Sequence, residues 1–509
     1  MNTRRAGDVL TVAAVLGVLG QLLFYDMPLG VNLVSMMAAI LVAAWLLRPA
    51  DARLDPPDAW LPAGALVLAA FVAVRADPAL AFVDTIGALT LTAAAAAAVA
   101  GVPVVRRSAF GIAALAGRFI GLGTVAAGPV VASAGRASRP FAARVPGGRA
   151  LPVVRGAGIA LPIVLVFLGL FVAADAVFAR RVGDLFAVSS DVTGLIGRTA
   201  YAVVIGWIVA GVLAVVAFRL LTTDATDGAG SASRAGWRLG TTEAVVVVVA
   251  LDLLFAAFVS VQVEYLFGGR DTLEAYGFSY SSYARRGFFE LVAVAALAGA
   301  LLLFFERFVA ARIAVYIGAC VSLCALIGVV LGSAAQRLSL YQQAYGWTEL
   351  RFYVLAAIVW LAVCVAIAIV ATLTNRSRWL FHGVSVAAIV IAIGVNAIGP
   401  QAFVASANVE RALDASLVPA NGETGLDELY LANLGDDAIP IVADALPRLD
   451  PEDRDALAWS LATRLARLDA DEGSRTWPAW NLSRERARAA LEAMRADLPE
   501  VVSIDEPVK

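Results

Sequence analysis

Three charged side chains stand at the entrance of an apolar helix in Tyr283-Ala-Arg-Arg-Gly-Phe-Phe-Glu-Leu291: Arg285, Arg286 and Glu290. Arg286 and Glu290 are spaced i, i+4, so on a helix they share a face and can pair. An Arg near a helix start opposes the dipole, so these guanidiniums are expected to answer an anion. Glu264, Asp271, Glu274 and Asp252 are the candidates within the chain, and a lipid phosphate is the candidate outside it. Asp252 interrupts the apolar run that follows Thr241-Thr242-Glu243, deep enough to lie near mid-bilayer. A carboxyl at that depth faces other helices or water and costs least when protonated. It reads either as a proton or cation relay or as an interhelical hydrogen bond. The run leaves through Gln262, Glu264 and Tyr265 into a loop with Arg270 and Asp271, then Tyr276, Phe278, Tyr280 and Tyr283. An interfacial aromatic belt accounts for most of these rings.

Other chemistries are thinly represented. His382 is the single histidine, which excludes His-cluster metal sites. Cys320, Cys324 and Cys364 all lie in apolar segments and read as small packing residues, with neither a metal-site setting nor a disulfide framework. Gly147-Gly148-Arg149 lacks the spacing and Lys of a nucleotide loop. Asp26, Asp84, Asp175 and Asp191 fall near span ends and read as solvated interfacial carboxylates. Asp26 is also the one acid of the first outer loop that a lipid-linked transferase could use. Gly117-x-x-x-Gly121 fits a helix-packing motif. No metal, cofactor or nucleic-acid partner is expected.

The elements that must position these residues are membrane helices. With 61% hydrophobic and 16% charged residues, the chain is too apolar for an ordinary soluble domain. A spanning helix needs about 20 apolar residues. Eleven segments qualify: 8–25, 31–47, 59–75, 79–101, 156–175, 199–219, 241–262, 287–305, 312–334, 352–373 and 381–399. Arg4 and Arg5 ahead of the first run imitate a signal peptide, but the closeness of the second run favours a retained anchor helix. With the N-terminus inside, 19 Arg fall in cytoplasmic loops and nine in outer ones, as the positive-inside rule requires. That count leaves the chain beyond residue 400 outside the cytoplasm, in a bacterial inner membrane. The stretch 102–158 holds eight Arg and no acid. Its apolar part, 108–134, reads as interfacial or re-entrant rather than spanning. Arg106, Arg107, Arg118, Arg136, Arg139 and Arg144 are expected to face anionic lipid.

Residues 1–399 carry 28 Arg against 20 acids, whereas residues 400–509 carry 11 basic and 21 acidic residues. The expected organisation is therefore a four-span segment (1–101), an Arg-rich linker (102–155), a seven-span core (156–399) and an acidic soluble helical domain (400–509). The fold class is all-α, a polytopic bundle with a small C-terminal helical domain. In that domain helices are expected over Glu423–Leu434 and Asp437–Leu446, the latter ending at Pro447. Asp450-Pro451-Glu452 signals another start, with Leu457, Leu461, Leu465 and Leu468 at helical spacing, and a last helix opens at Ser483.

Tyr283 to Leu291 resembles a motif of a bacterial family known as domain of unknown function 4173, with the related 4153 group. Gln262-Val-Glu-Tyr-Leu-Phe-Gly-Gly269, Asn408-Val-Glu-Arg411 and Trp480-Asn-Leu-Ser-Arg484 are similar to that family's approach segment and tail elements. The resemblance implies a multi-pass inner-membrane protein and no particular activity. The primary reading is a non-catalytic envelope, signalling or scaffold protein whose tail binds a protein partner. A secondary transporter or ion-coupled permease using Asp252 and the Arg285/Arg286/Glu290 cluster is the alternative. A membrane enzyme on lipid-linked substrates is the third.

Overall fold

The computed structural model describes residues 3–107, 190–221, 241–267, 313–376, 379–419 and 425–500, with a few residues of 111–119 and 292–309 and residue 422. These residues are helical, with no β-strand among them. Backbone amides and carbonyls in hydrocarbon must find partners within their own segment, and the helix is the fold that provides them. The membrane helices are α1 (Thr3–Phe24), α2 (Val31–Leu46), α3 (Leu61–Val74), α4 (Pro78–Val99), α5 (Ser190–Ala217), α6 (Thr241–Phe267), α7 (Ala314–Tyr345), α8 (Glu349–Leu373) and α9 (Leu380–Ile398). Among the described residues seven helices are long and apolar enough to cross a membrane, and Val31–Leu46 and Ala244–Ser260 are shorter apolar helices. Their outer faces carry exposed Val15, Leu22, Phe82, Leu253, Leu254 and Val390, a surface suited to lipid. The expected span 156–175 and most of 287–305 lie outside the described residues.

The tail adds α10 (Pro400–Leu413), α11 (Glu428–Asn433), α12 (Ile439–Ala445), α13 (Pro451–Ala470) and α14 (Leu482–Ala493). α13 and α14 start where the Asp450-Pro451 and Ser483 signals put them. α11 is shorter than expected. Gly425 sits at φ +108, and Asp427 caps the helix by accepting from Tyr430 N at 2.8 Å. α7 runs past the expected end at 334 to Tyr345, because Leu338 and Ala344 remain buried along its polar last turns.

The described residues fall into two compact units. The first comprises Met1–Val74, Ala81–Ser231 and Asp471–Asn481. In it α1 and α5 approach so closely that a Cβ on Gly17 would meet Ala202 O at 2.5 Å and Gly206 Cα at 2.9 Å. Small residues let membrane helices reach that separation and gain dispersion contacts. Asn32, fully buried, turns the chain from α1 to α2: Gly30 N and Leu33 N donate to its Oδ1, and its Nδ2 donates to Leu23 O and Pro28 O. Trp480 O accepts from Val31 N at 3.1 Å, and Asn481 Nδ2 donates to Val72 O at 2.9 Å. Asp84, expected as a solvated carboxylate, is buried on α4, which turns that position inward well past its first turn. Asp26 is exposed, at φ +59, in the α1–α2 turn.

The second unit comprises Arg75–Leu80, Ala232–Ala470 and Leu482–Lys509. Leu323, Ile327, Leu331 and Leu338 of α7 centre its membrane core, with α6 and α8 packed on either side. A separate core of Val404, Val442, Leu457, Leu461 and Leu491 holds the tail helices together.

The glycine contact in the first unit is testable. Gly17→Val forces a branched side chain onto backbone and is expected to destabilise the fold by roughly 1–3 kcal/mol. Gly117→Ala, at a helical position with nothing within 4 Å, should not lower the melting temperature in detergent.

Candidate functional site

Polar side chains are costly along the length of a membrane helix, so they gather where helices end. In the second unit they gather around Arg75-Ala76-Asp77, the start of α8, and the passage from α9 into α10. Arg75 points its guanidinium at the C-terminus of α9: Nε donates to Asn396 O at 2.7 Å and Nη2 to Ala397 O at 3.1 Å. Last-turn carbonyls lack intrahelical donors and form the negative end of the dipole, so a cation there serves both needs. Nη1 of the same group pairs with Asp437 Oδ1 at 3.2 Å, with side chains 16% and 4% exposed. Asp437 also accepts from Ala76 N at 3.3 Å and from the Ser483 hydroxyl. Gly399, at φ +74, is where α9 ends and α10 begins; a Cβ there would meet Arg75 Nη1 at 2.5 Å.

Asp77, fully buried, caps α4. Its Oδ1 accepts from Ala79 N at 2.8 Å and Leu80 N at 3.2 Å, while the Tyr353 hydroxyl donates to Oδ2. Glu349, in the first turn of α8, accepts from Gln401 Nε2 at 2.9 Å, and its own N–H donates to the Tyr430 hydroxyl at 2.8 Å. Burial pushes the Tyr430 phenol up, which keeps it neutral.

The turn between α7 and α8 is strapped from α10. Trp347 N donates to Asn408 Oδ1 at 2.8 Å, and Asn408 Nδ2 returns to Trp347 O at 2.9 Å. Arg411 Nη2 donates to Ala344 O at 2.7 Å, and its Nη1 to Gln343 O. Arg351 donates to Tyr345 O at 3.2 Å and lies 4.1 Å over the Tyr341 ring. Below the strap, Arg464 Nε donates to buried Asp436 at 2.8 Å. Asp77 and Asp437 each accept from three donors, which ties both carboxylates into the helix ends around them.

Asp252 stands on α6 facing α7, beside Ser322 and Cys324. Its Oδ1 is buried without a hydrogen-bond partner among the described residues. Gln262 and Glu264 lie on the last turns of α6, which runs five residues past the expected end at 262. Arg270, Asp271, Tyr283, Arg285, Arg286 and Glu290 lie outside the described residues, as do Arg136, Arg139 and Arg144. In the first unit Arg106 pairs with Asp55 at 3.3 Å and Arg107 Nε donates to Pro103 O at 2.8 Å, while Arg118 is exposed on a short helical stretch. No group of three or more His, Cys, Asp or Glu among the described residues could hold a metal.

In the sequence Arg75 counts only as one of the nine outer-loop arginines, and Asp77 carries no expectation. Asp77-Pro78 was legible as a helix start, Asp at the cap and Pro in the first turn. Nothing in the sequence pairs Arg75 with Asp437.

Apolar helices of this length and number, closed at their ends by buried polar clamps, define a multi-pass helical membrane protein. The chain belongs to the family described as Domain of unknown function (DUF4153), whose model matches residues 63–445. No curated protein and no solved structure matches it.

Removing Asp437 leaves a largely buried guanidinium without its counter-ion. Asp437→Ala is expected to destabilise the protein by about 3–5 kcal/mol, whereas Asp444→Ala, which breaks only the exposed pair with Arg448, should cost no more than about 1 kcal/mol; thermal unfolding in detergent distinguishes them. A second outcome concerns pH. A hydrogen bond with Asp453, then partial desolvation, holds the Glu428 carboxyl above its ordinary range. Its contribution to stability is full below the unfolded-state pKa and is lost as pH rises through the folded one. Glu428→Gln removes that loss, so the variant should gain on the wild type in melting temperature from pH 4 to pH 8.

Proposed function

We propose that this protein is a non-catalytic membrane scaffold or signal-transmitting protein of the bacterial inner membrane. In this reading its tail presents a docking surface to a protein partner outside the cytoplasm. The strap is the observation that carries it. α10 continues from the last membrane helix, and its Asn408 and Arg411 grip the turn joining two others. A force or binding event on the tail is thereby delivered to the helix ends. The clamp carboxylates each bond to helix ends and to distant stretches of chain, which supports a role in transmission. The outer faces of the tail helices expose Trp459, an anchor of the kind that protein interfaces use, and the large apolar side chain of Leu429. Kinship with the 4173 group, on the motif Tyr283 to Leu291, belongs to the same reading.

One observation favours a second reading, an ion-coupled permease: the buried, unfilled oxygen of Asp252 inside the membrane core.

Full-length protein in detergent should capture a defined partner from envelope extracts. Leu429→Arg with Trp459→Arg should lose that partner while keeping the wild-type melting temperature. In the same reading Asp252→Asn leaves partner capture and any proton flux into proteoliposomes unchanged. Flux present in the wild type and abolished in Asp252→Asn would instead establish the permease.

A further inference from the structure

Cys320, Cys324 and Cys364 are the chain's three cysteines, and all three line one cavity of about 270 Å³ in the second unit. No charged side chain lines it among the described residues. The cavity follows the helices. It begins at mid-length, beside Ile327 of α7 and Trp360 of α8, and reaches the end where α7 starts, α8 stops and α9 starts, at Tyr316, Thr372 and Leu380. The turn at that end carries Arg376. Its N–H donates to the carbonyl of Ala371, a lining residue, at 2.9 Å. The Arg376 side chain is exposed, with no ion-pair partner among the described residues.

A dry apolar cavity forfeits dispersion contacts, and water does not fill it without polar partners. Among membrane helices the available filler is hydrocarbon. An elongated apolar slot whose end lies beside a turn bearing an exposed arginine has the form of an amphiphile with an anionic head. We infer that this cavity holds one hydrocarbon chain of a phosphate-bearing membrane lipid, with the phosphate at Arg376. The chain can come from a diacyl phospholipid or from a polyprenyl phosphate, since both offer the same chemistry.

The test is native mass spectrometry of the full-length protein released from membranes in mild detergent. The wild type should retain one phosphate-bearing lipid, whose mass names the source; either source supports the assignment. Ala368→Phe, which fills the slot, should reduce retention by about tenfold or more, and Arg376→Gln should weaken it while leaving the slot intact. Because every thiol of the chain lines the slot, maleimide labelling of the wild type gives a readout that needs no variant. Delipidated protein should label several-fold faster, and vesicles of anionic phospholipid, or added polyprenyl phosphate, should slow it again. Equal lipid retention in the wild type and a folded Ala368→Phe, or labelling rates indifferent to both lipids, would overturn the proposal.

Discussion

The second unit is organised around one buried ion pair and what that pair obliges its neighbours to do. A guanidinium with 16% of its side chain exposed cannot stand alone, and Arg75 meets Asp437 from 362 residues away in sequence. Once Arg75 is held there, its other nitrogens fall on the last carbonyls of α9, and Ala76 N falls on the second oxygen of Asp437. Ser483 closes the same carboxylate from the final tail helix. Four distant stretches of chain thus meet at one charge pair. Removing or misplacing either partner of such a pair strands a charge in a dry site, which is costly.

The apolar segments were legible because hydrophobic length is a one-dimensional property: α1 to α4 and α6 to α9 follow runs of Leu, Val and Ala. The starts of α13 and α14 were legible for the same local reason. The clamp was not. Among 41 acids, nothing in sequence distinguishes Asp437 as the partner of Arg75. The extension of α7 escaped because its last turns are polar on one side and buried only through Leu338 and Ala344. Asp84 escaped because nearness to a helix end says nothing of which face turns inward. Asn408, Arg411, Asn481 and Ser483 were conspicuous as family-like tail elements before any role attached to them. Each proves to be bonded to backbone or to a buried carboxylate.

The two units hold their helices by different means. In the first, α1 and α5 close to backbone contact through Gly17 and Gly206, a surface that tolerates almost no added volume. In the second, Leu323, Ile327 and Leu331 keep helices apart by whole side chains, and it is in this unit that the cysteine-lined cavity is left. Glycine contacts leave no room for a guest, whereas larger side chains can leave gaps between them.

A single left-handed residue, Gly399, separates α9 from α10, and Arg75 presses against it. The tail therefore leaves the membrane with a definite rotational phase. One residue inserted between Gly399 and Asn408 would turn everything beyond it by about 100° and carry Asn408 and Arg411 off the α7–α8 turn. Length, more than composition, is what this stretch must preserve: substitutions on its exposed positions are absorbed locally, while a single insertion or deletion uncouples the tail from the bundle at one stroke.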